Sequence, residues 1–276
     1  MSDLPDGSGQ PAPIGVIGGS GFYSFLDDAR EVVADTPFGT PSDPVTVGDV
    51  GGRAVAFLPR HGRDHRFPPH RVNYRANLWA LRAVGVRQVI APCAVGSLRV
   101  EHGAGTLVLP DQVVDRTWGR AHTVYDDEGA VVHVSMADPY CPRGRSTVRD
   151  VAAAEGEQVV DGGAMVVVNG PRFSSRAESQ WHASAGWSVV GMTGMPEASI
   201  ARELALCFTS VALVTDLDAG IESGEGVTHA EVLEVFARNV ERLKALLAAV
   251  VPAMPADDEC SCRHALDGQR LPFALP

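Results

Sequence analysis

Short, continuous apolar runs alternate along this chain with longer stretches of helical periodicity. The runs are Ile14-Gly15-Val16-Ile17, Ala54 to Leu58, Gln88 to Ala91, Thr106 to Leu109, Met165 to Val168, Ser188 to Met192 and Ser210 to Val214. Because they are continuous rather than alternating, they predict strands buried on both faces. Between them the pattern predicts helices over Val72 to Val84, Arg143 to Glu155, Arg176 to Ala185, Pro196 to Leu206 and Thr228 to Val250. In the last, Val232, Val235, Phe236, Val240, Leu243, Leu246 and Leu247 recur at helical spacing, and Thr228 with Glu231 forms a candidate capping box. Strands alternating with helices predict an α/β fold with a largely buried sheet.

A length of 276 residues allows one domain or two. There is no internal repeat and no linker to divide the chain. Residues 1–13, rich in Pro, Gly and Ser, read as a disordered tail, residues 14–252 as the folded domain and residues 253–276 as a C-terminal tail. A net charge of −11 argues against a nucleic-acid partner, since binding to a phosphate backbone draws its free energy from Lys and Arg. No apolar run approaches the roughly 20 residues that cross a bilayer, and the polar first residues do not resemble a signal sequence, so a cytoplasmic location without membrane contact is expected. Of five cysteines, Cys93, Cys141 and Cys207 lie in or beside apolar segments and read as small core residues. Cys260-Ser261-Cys262, followed by His264, suits a mobile tail with free thiols, a tight disulfide or a metal site.

Several polar segments sit where strands end, which is where open α/β sheets gather ligands. Gly18-Gly19-Ser20-Gly21 offers backbone N–H groups and a hydroxyl to an anion, although many strand ends turn this way for steric reasons alone. Arg60 and His61 follow a buried strand and suit an oxyanion, whereas Arg63, Asp64, His65 and Arg66 read as a solvated loop. Asp216 and Asp218 end another strand at i, i+2 spacing, which sends both carboxylates to one side. Such a pair suits a metal, glycosidic chemistry or hydrogen bonds to a ligand's N–H groups; two solvated turn aspartates give the same pattern. Ser174, Ser175 and Thr193 precede helices and read first as caps, and Met192 and Met195 as core.

Taken together, these segments resemble the methylthioadenosine and purine nucleoside phosphorylase family along nearly the whole chain. The resemblance is carried by Ile14 to Gly21, Asp35-Thr36-Pro37-Phe38-Gly39, Arg60-His61-Gly62, Val72-Asn73-Tyr74-Arg75-Ala76-Asn77, Gly96-Ser97-Leu98-Arg99, Gly170-Pro171-Arg172-Phe173, Met192-Thr193-Gly194-Met195-Pro196-Glu197 and Thr215-Asp216-Leu217-Asp218. It implies a single domain with a central mixed sheet flanked by helices, no metal or organic cofactor, and inorganic phosphate as co-substrate. By resemblance, Ser20, Arg60, His61 and Thr193, with backbone around Cys93 and Ala94, hold phosphate. Met192 lies under the ribose, Phe173 and Ser174 border the purine, and His229 and Val232 lie near the 5′-substituent. His133 reaches a neighbouring subunit's 5′-pocket in the homotrimer, or dimer of trimers, that the resemblance implies.

The resemblance also separates the carboxylates. Breaking the C1′–N9 bond leaves charge on the purine, so a proton delivered to N7 improves the leaving group, which asks for a carboxyl that holds a proton in a desolvated site. Asp216 takes that role, and Asp218 accepts from the exocyclic 6-amino group. Relatives that act on 6-oxopurines tend to carry Asn at the first position and no acid at the second, so adenine is expected over hypoxanthine. The expected reaction is phosphorolysis of 5′-methylthioadenosine. Two departures bear on it: Ile90-Ala91-Pro92-Cys93-Ala94 lacks the adjacent threonines often found there, and His229 stands where methylthio-specific relatives often carry an apolar residue. Adenosine, a 5′-halogenated 5′-deoxyadenosine and methylthioinosine are the alternative substrates. A silent purine- or phosphate-binding protein and a metal-dependent nucleosidase are readings from other classes.

Overall fold

The computed structural model describes residues 13–19, 26–221, 229–255 and 260–276. The apolar runs form β1 (Ile14–Gly18), β4 (Arg53–Pro59), β5 (Gln88–Ser97), β6 (Leu107–Leu109), β9 (Ala164–Val168), β10 (Val189–Gly191) and β11 (Cys207–Leu217). Four further strands lie at the periphery: β2 (Asp27–Val32), β3 (Val45–Val50), β7 (Gln112–Arg116) and β8 (Val159–Asp161). The helices are α1 (Tyr74–Ala83), α2 (Pro142–Ala154), α3 (Arg176–Ser184), α4 (Gly194–Glu203) and α5 (His229–Ala253). Thr228, the candidate cap of α5, lies outside the described residues.

All strands among the described residues join one mixed sheet, ordered β2-β3-β4-β1-β5-β10-β9-β7, with a branch from β5 that runs β11-β6-β8. Helices cover both faces. On one side α1 and α4 pack together over a core that includes Leu78, Leu81, Ile200 and Leu204. On the other, α2 and α5 seal Val148, Leu243, Leu246 and Leu247 against β1 and β11. With apolar layers on both faces, β1 and the first nine residues of β11 are buried throughout, which explains their continuous apolar character.

The pairing of β5 opens the sheet. Its first residues pair in parallel with β1 as far as Ile90, and its last pair antiparallel with β10 from Gly96, while β11 follows it along the other side. Between Ile90 and Gly96, β5 therefore changes neighbours at a topological switch point. Two of the recognised segments support this frame. Asn73 caps α1 by accepting from Ala76 N and donates to Phe38 O at 2.8 Å, and buried Asn77 accepts from Ser42 N at 2.7 Å.

Residues 260–276 fold back on the domain. Cys260 and Cys262 are buried, and Phe273 stacks on Tyr125 at 5.3 Å and meets Trp79 edge-on at 5.6 Å. The two thiols are free, as one of the expected readings had it, but the segment packs on the domain, and its apolar and thiol side chains gain burial that the sequence spacing does not reveal.

Candidate active site

A cavity of about 580 Å³ opens at the switch in β5. It brings together eleven of the fourteen residues expected from the sequence: Arg60, His61, Cys93, Ala94, Phe173, Ser174, Met192, Thr193, Asp216, Asp218 and Val232. Ser20 lies outside the described residues, as does the side chain of His229. His133 does not line this cavity. It is exposed on the connection between β7 and α2, its amide donating to Gln269 Oε1 at 3.4 Å.

The cationic wall grows from β4. Arg60 continues that strand into the interior, and its Nε and Nη2 grip Glu197 Oε1 and Oε2 at 2.7 and 3.0 Å. Nη2 also donates to Ile17 O at 2.9 Å and Nη1 to Pro92 O at 3.1 Å. Four of its five N–H groups are thus engaged, leaving one on Nη1. Burial opposes its charge, but the Glu197 carboxylate more than offsets this and raises its pKa. His61 holds its ring through Nδ1–H donated to Phe67 O at 2.8 Å, so Nε2 is the free acceptor. Burial, then the Arg60 cation, pushes the imidazole down to about 4, and it is neutral at pH 7.

All four residues of the loop assigned to solvent, Arg63, Asp64, His65 and Arg66, are exposed as expected; His65 and Arg66 also line the mouth of the cavity, and the His65 ring stacks on His61 at 4.6 Å. A sharp turn at Gly62, φ +76°, brings them back to the site. Thr193 occupies the N-cap of α4 without a side-chain cap bond, so its hydroxyl is not spent on the helix as the sequence suggested. Ser175, by contrast, is the reciprocal capping box of α3 with Glu178. Ser174 Oγ is buried with no hydrogen-bond partner among the described residues.

The carboxylates stand at the end of β11. A bulge between Val214 and Asp216 shifts the register, pairing Asp216 with Gly96. Thr215 Oγ1 lies 2.7 Å from Asp216 Oδ1 and 3.2 Å from Val95 O. Asp218 is buried and accepts from Ser179 Oγ at 2.5 Å. Gly96 makes room for both: a Cβ there would sit 3.0 Å from Asp216 Oδ2 and 3.4 Å from Asp218 Cβ.

Two residues went unassigned in the sequence. Glu197 fixes Arg60. Buried Arg120 donates to Asn169 O and Met192 O at 2.8 and 2.9 Å, to Met195 O at 2.6 Å and to Tyr74 Oη at 3.1 Å, tying three site segments together. A second cavity, about 600 Å³, lies between Glu101, His102, Gln158 and Arg242 and contains none of the expected residues. Its Arg242 is committed to Glu157 and Gly105 O.

The phosphorylase superfamily model matches residues 13–252. This chain belongs to that superfamily. It is 62% identical to a purine nucleoside phosphorylase of Streptomyces coelicolor, over 96% of this chain and 98% of the relative. It is 57% identical to an S-methyl-5′-thioadenosine phosphorylase of Mycolicibacterium smegmatis, over 95% and 99%. Among solved structures, a methylthioadenosine phosphorylase from an antarctic soil metagenomic library superposes with a TM-score of 0.88 at 36% identity, covering 95% of this chain and 93% of that one. The methylthioadenosine phosphorylase of Schistosoma mansoni in complex with adenine gives 0.86 at 36% identity, covering 95% and 100%. The nucleoside phosphorylase fold, a single domain with a mixed sheet between helices, is therefore the fold of this chain.

Proposed function

We propose that this chain is a pentosyltransferase that cleaves 5′-methylthioadenosine with inorganic phosphate, giving adenine and 5-methylthioribose-1-phosphate. The observation that carries the proposal is the meeting, in one cavity, of the Arg60–His61–Thr193 group with the Asp216–Asp218 pair. An anion site and a site for a nitrogenous base are the two halves that phosphorolysis of a nucleoside requires.

Phosphate sits against the remaining Nη1–H of Arg60 and the hydroxyl of Thr193, and its own P–OH donates to Nε2 of neutral His61. The pleat supports a backbone donor. Pro92 O turns toward Arg60, so two residues on, the Ala94 amide faces the same side, while Cys93 contributes lining only. Ser20 completes this group by resemblance. Asp216 delivers the proton to N7 as the C1′–N9 bond breaks, phosphate attacks the oxocarbenium-like C1′, and one Asp218 oxygen accepts from the 6-amino group while Ser179 holds the other. Phe173 and Ser174 border the base, and Met192, fixed through its carbonyl by Arg120, underlies the ribose.

The wall contributed by α5 is Val232, Leu233 and Phe236, an apolar surface that suits a methylthio group over a 5′-hydroxyl. No organic cofactor takes part. Exposed Trp118 and Val131 share the connection from β7 to α2 with His133, which supports a subunit interface there and a homotrimer in which His133 serves the neighbour's site. Among the described residues no helix is long and apolar enough to cross a membrane; a cytoplasmic site of action is part of the same proposal.

The test is kcat/KM for phosphate-dependent base release from 5′-methylthioadenosine, adenosine and methylthioinosine side by side. The proposal expects methylthioadenosine to lead. Preference for adenosine would reassign the 5′-wall, and preference for methylthioinosine would overturn the roles of the two aspartates.

A further inference from the structure

The resemblance implied a chain without metal, yet four thiols from three separate segments of the sequence converge. Cys141 is the N-cap of α2, Cys207 opens β11, and Cys260 and Cys262 belong to the folded C-terminal segment. All four are buried, all are unbridged, and their Sγ atoms lie within 4.8 Å of one another, Cys141 and Cys260 at 3.6 Å. A tetrahedral zinc ion with Zn–S near 2.3 Å requires sulfurs about 3.8 Å apart along each edge of the tetrahedron, so the cluster already has the required span. We propose that Cys141, Cys207, Cys260 and Cys262 hold a structural Zn²⁺.

Four thiolates around one Zn²⁺ leave two net negative charges in a buried place, and the fold supplies compensation. Cys141 sits at the positive end of α2, and Gly144 N–H donates to its Sγ at 3.4 Å. Arg263 follows directly after Cys262. His264, a possible ligand by spacing, is instead exposed and paired with Asp267 at 2.8 Å. With four protein ligands no coordination position is open, and none of the four cysteines lines the substrate cavity. The ion is therefore structural, binding the last segment to α2 and β11 and, through it, seating Phe273 on Trp79 and Tyr125.

The full chain, purified from zinc-containing medium with a thiol reductant and no chelator, is expected to carry close to one zinc per chain by elemental analysis. Cobalt(II) exchanged into it is expected to show sulfur-to-cobalt charge transfer and tetrahedral d–d absorption. Cys262→Ser is expected to lower zinc content about tenfold or more, and to lower Tm, while kcat/KM below Tm stays unchanged. The wild-type chain decides independently of whether that variant folds. Zinc-free protein that gives no thiolate cobalt spectrum overturns the proposal, whether all five thiols then titrate or peptide mapping finds these four in disulfides.

Discussion

Arg60 and Glu197 form a two-pronged ion pair, 2.7 Å at its shorter contact, with side chains only 3% and 1% exposed. The pair sits between the anion side of the cavity and α4, so it sets both the direction and the charge of the arginine. Removing one partner leaves a buried charge uncompensated. Glu197→Ala is expected to cost about 3–5 kcal/mol in urea unfolding, whereas Arg60→Met with Glu197→Leu is expected to be more stable than either single variant and to lack phosphate-dependent turnover. Equal stability of the Glu197→Ala variant and the parent would contradict the pairing.

The base-recognition roles make a separate prediction. Asp216→Asn is expected to lower kcat/KM for adenine release by about 10²–10⁴-fold and to shift preference toward hypoxanthine nucleosides. Unchanged base discrimination would remove Asp216 from its role.

Gly96 separates geometry from chemistry, because Gly96→Ala leaves both carboxylates in place chemically. Its Cβ would come 3.0 Å from Asp216 Oδ2 and 3.2 Å from Val190 Cγ1. A carboxylate moved by such a contact is expected to lose about tenfold to a hundredfold in kcat, with fold retained by circular dichroism. Parent-like kcat would show that the carboxylate tolerates displacement.

His61 makes the fold sensitive to acid. Its folded-state pKa of about 4 lies below the ordinary 6.5, so between these values the unfolded chain binds the proton that the folded chain refuses. Its contribution is fully present above pH 6.5 and is lost as pH falls toward 4, by an amount on the order of 3 kcal/mol. Denaturant titrations at pH 7 and pH 4.5 are expected to show a smaller acid loss in His61→Asn than in the parent. Identical losses would mean that the imidazole takes up its proton within the folded state.

The sequence made the interior of this fold readable because strands sealed on both faces must be continuously apolar. The peripheral strands escaped notice for the complementary reason: β2, Asp27–Val32, is a polar edge, and β7 is largely exposed. Asp216 and Asp218 were legible as a pair through their i, i+2 spacing, although the bulge at Thr215 that sets their register has no mark in the sequence. Arg120 was missed because an arginine in a loop looks like a surface residue until its carbonyl partners are known, and each of those is supplied by a remote segment. The four-thiol cluster could not be read from spacing either, since Cys141 and Cys260 meet across 119 positions.

The measurement that tests the central claim most directly is product analysis of 5′-methylthioadenosine cleavage with and without inorganic phosphate. The account predicts adenine and 5-methylthioribose-1-phosphate in equal amounts, formed only when phosphate is present. Adenine released at the same rate without phosphate, accompanied by free methylthioribose, would contradict it and make the cavity that of a hydrolase.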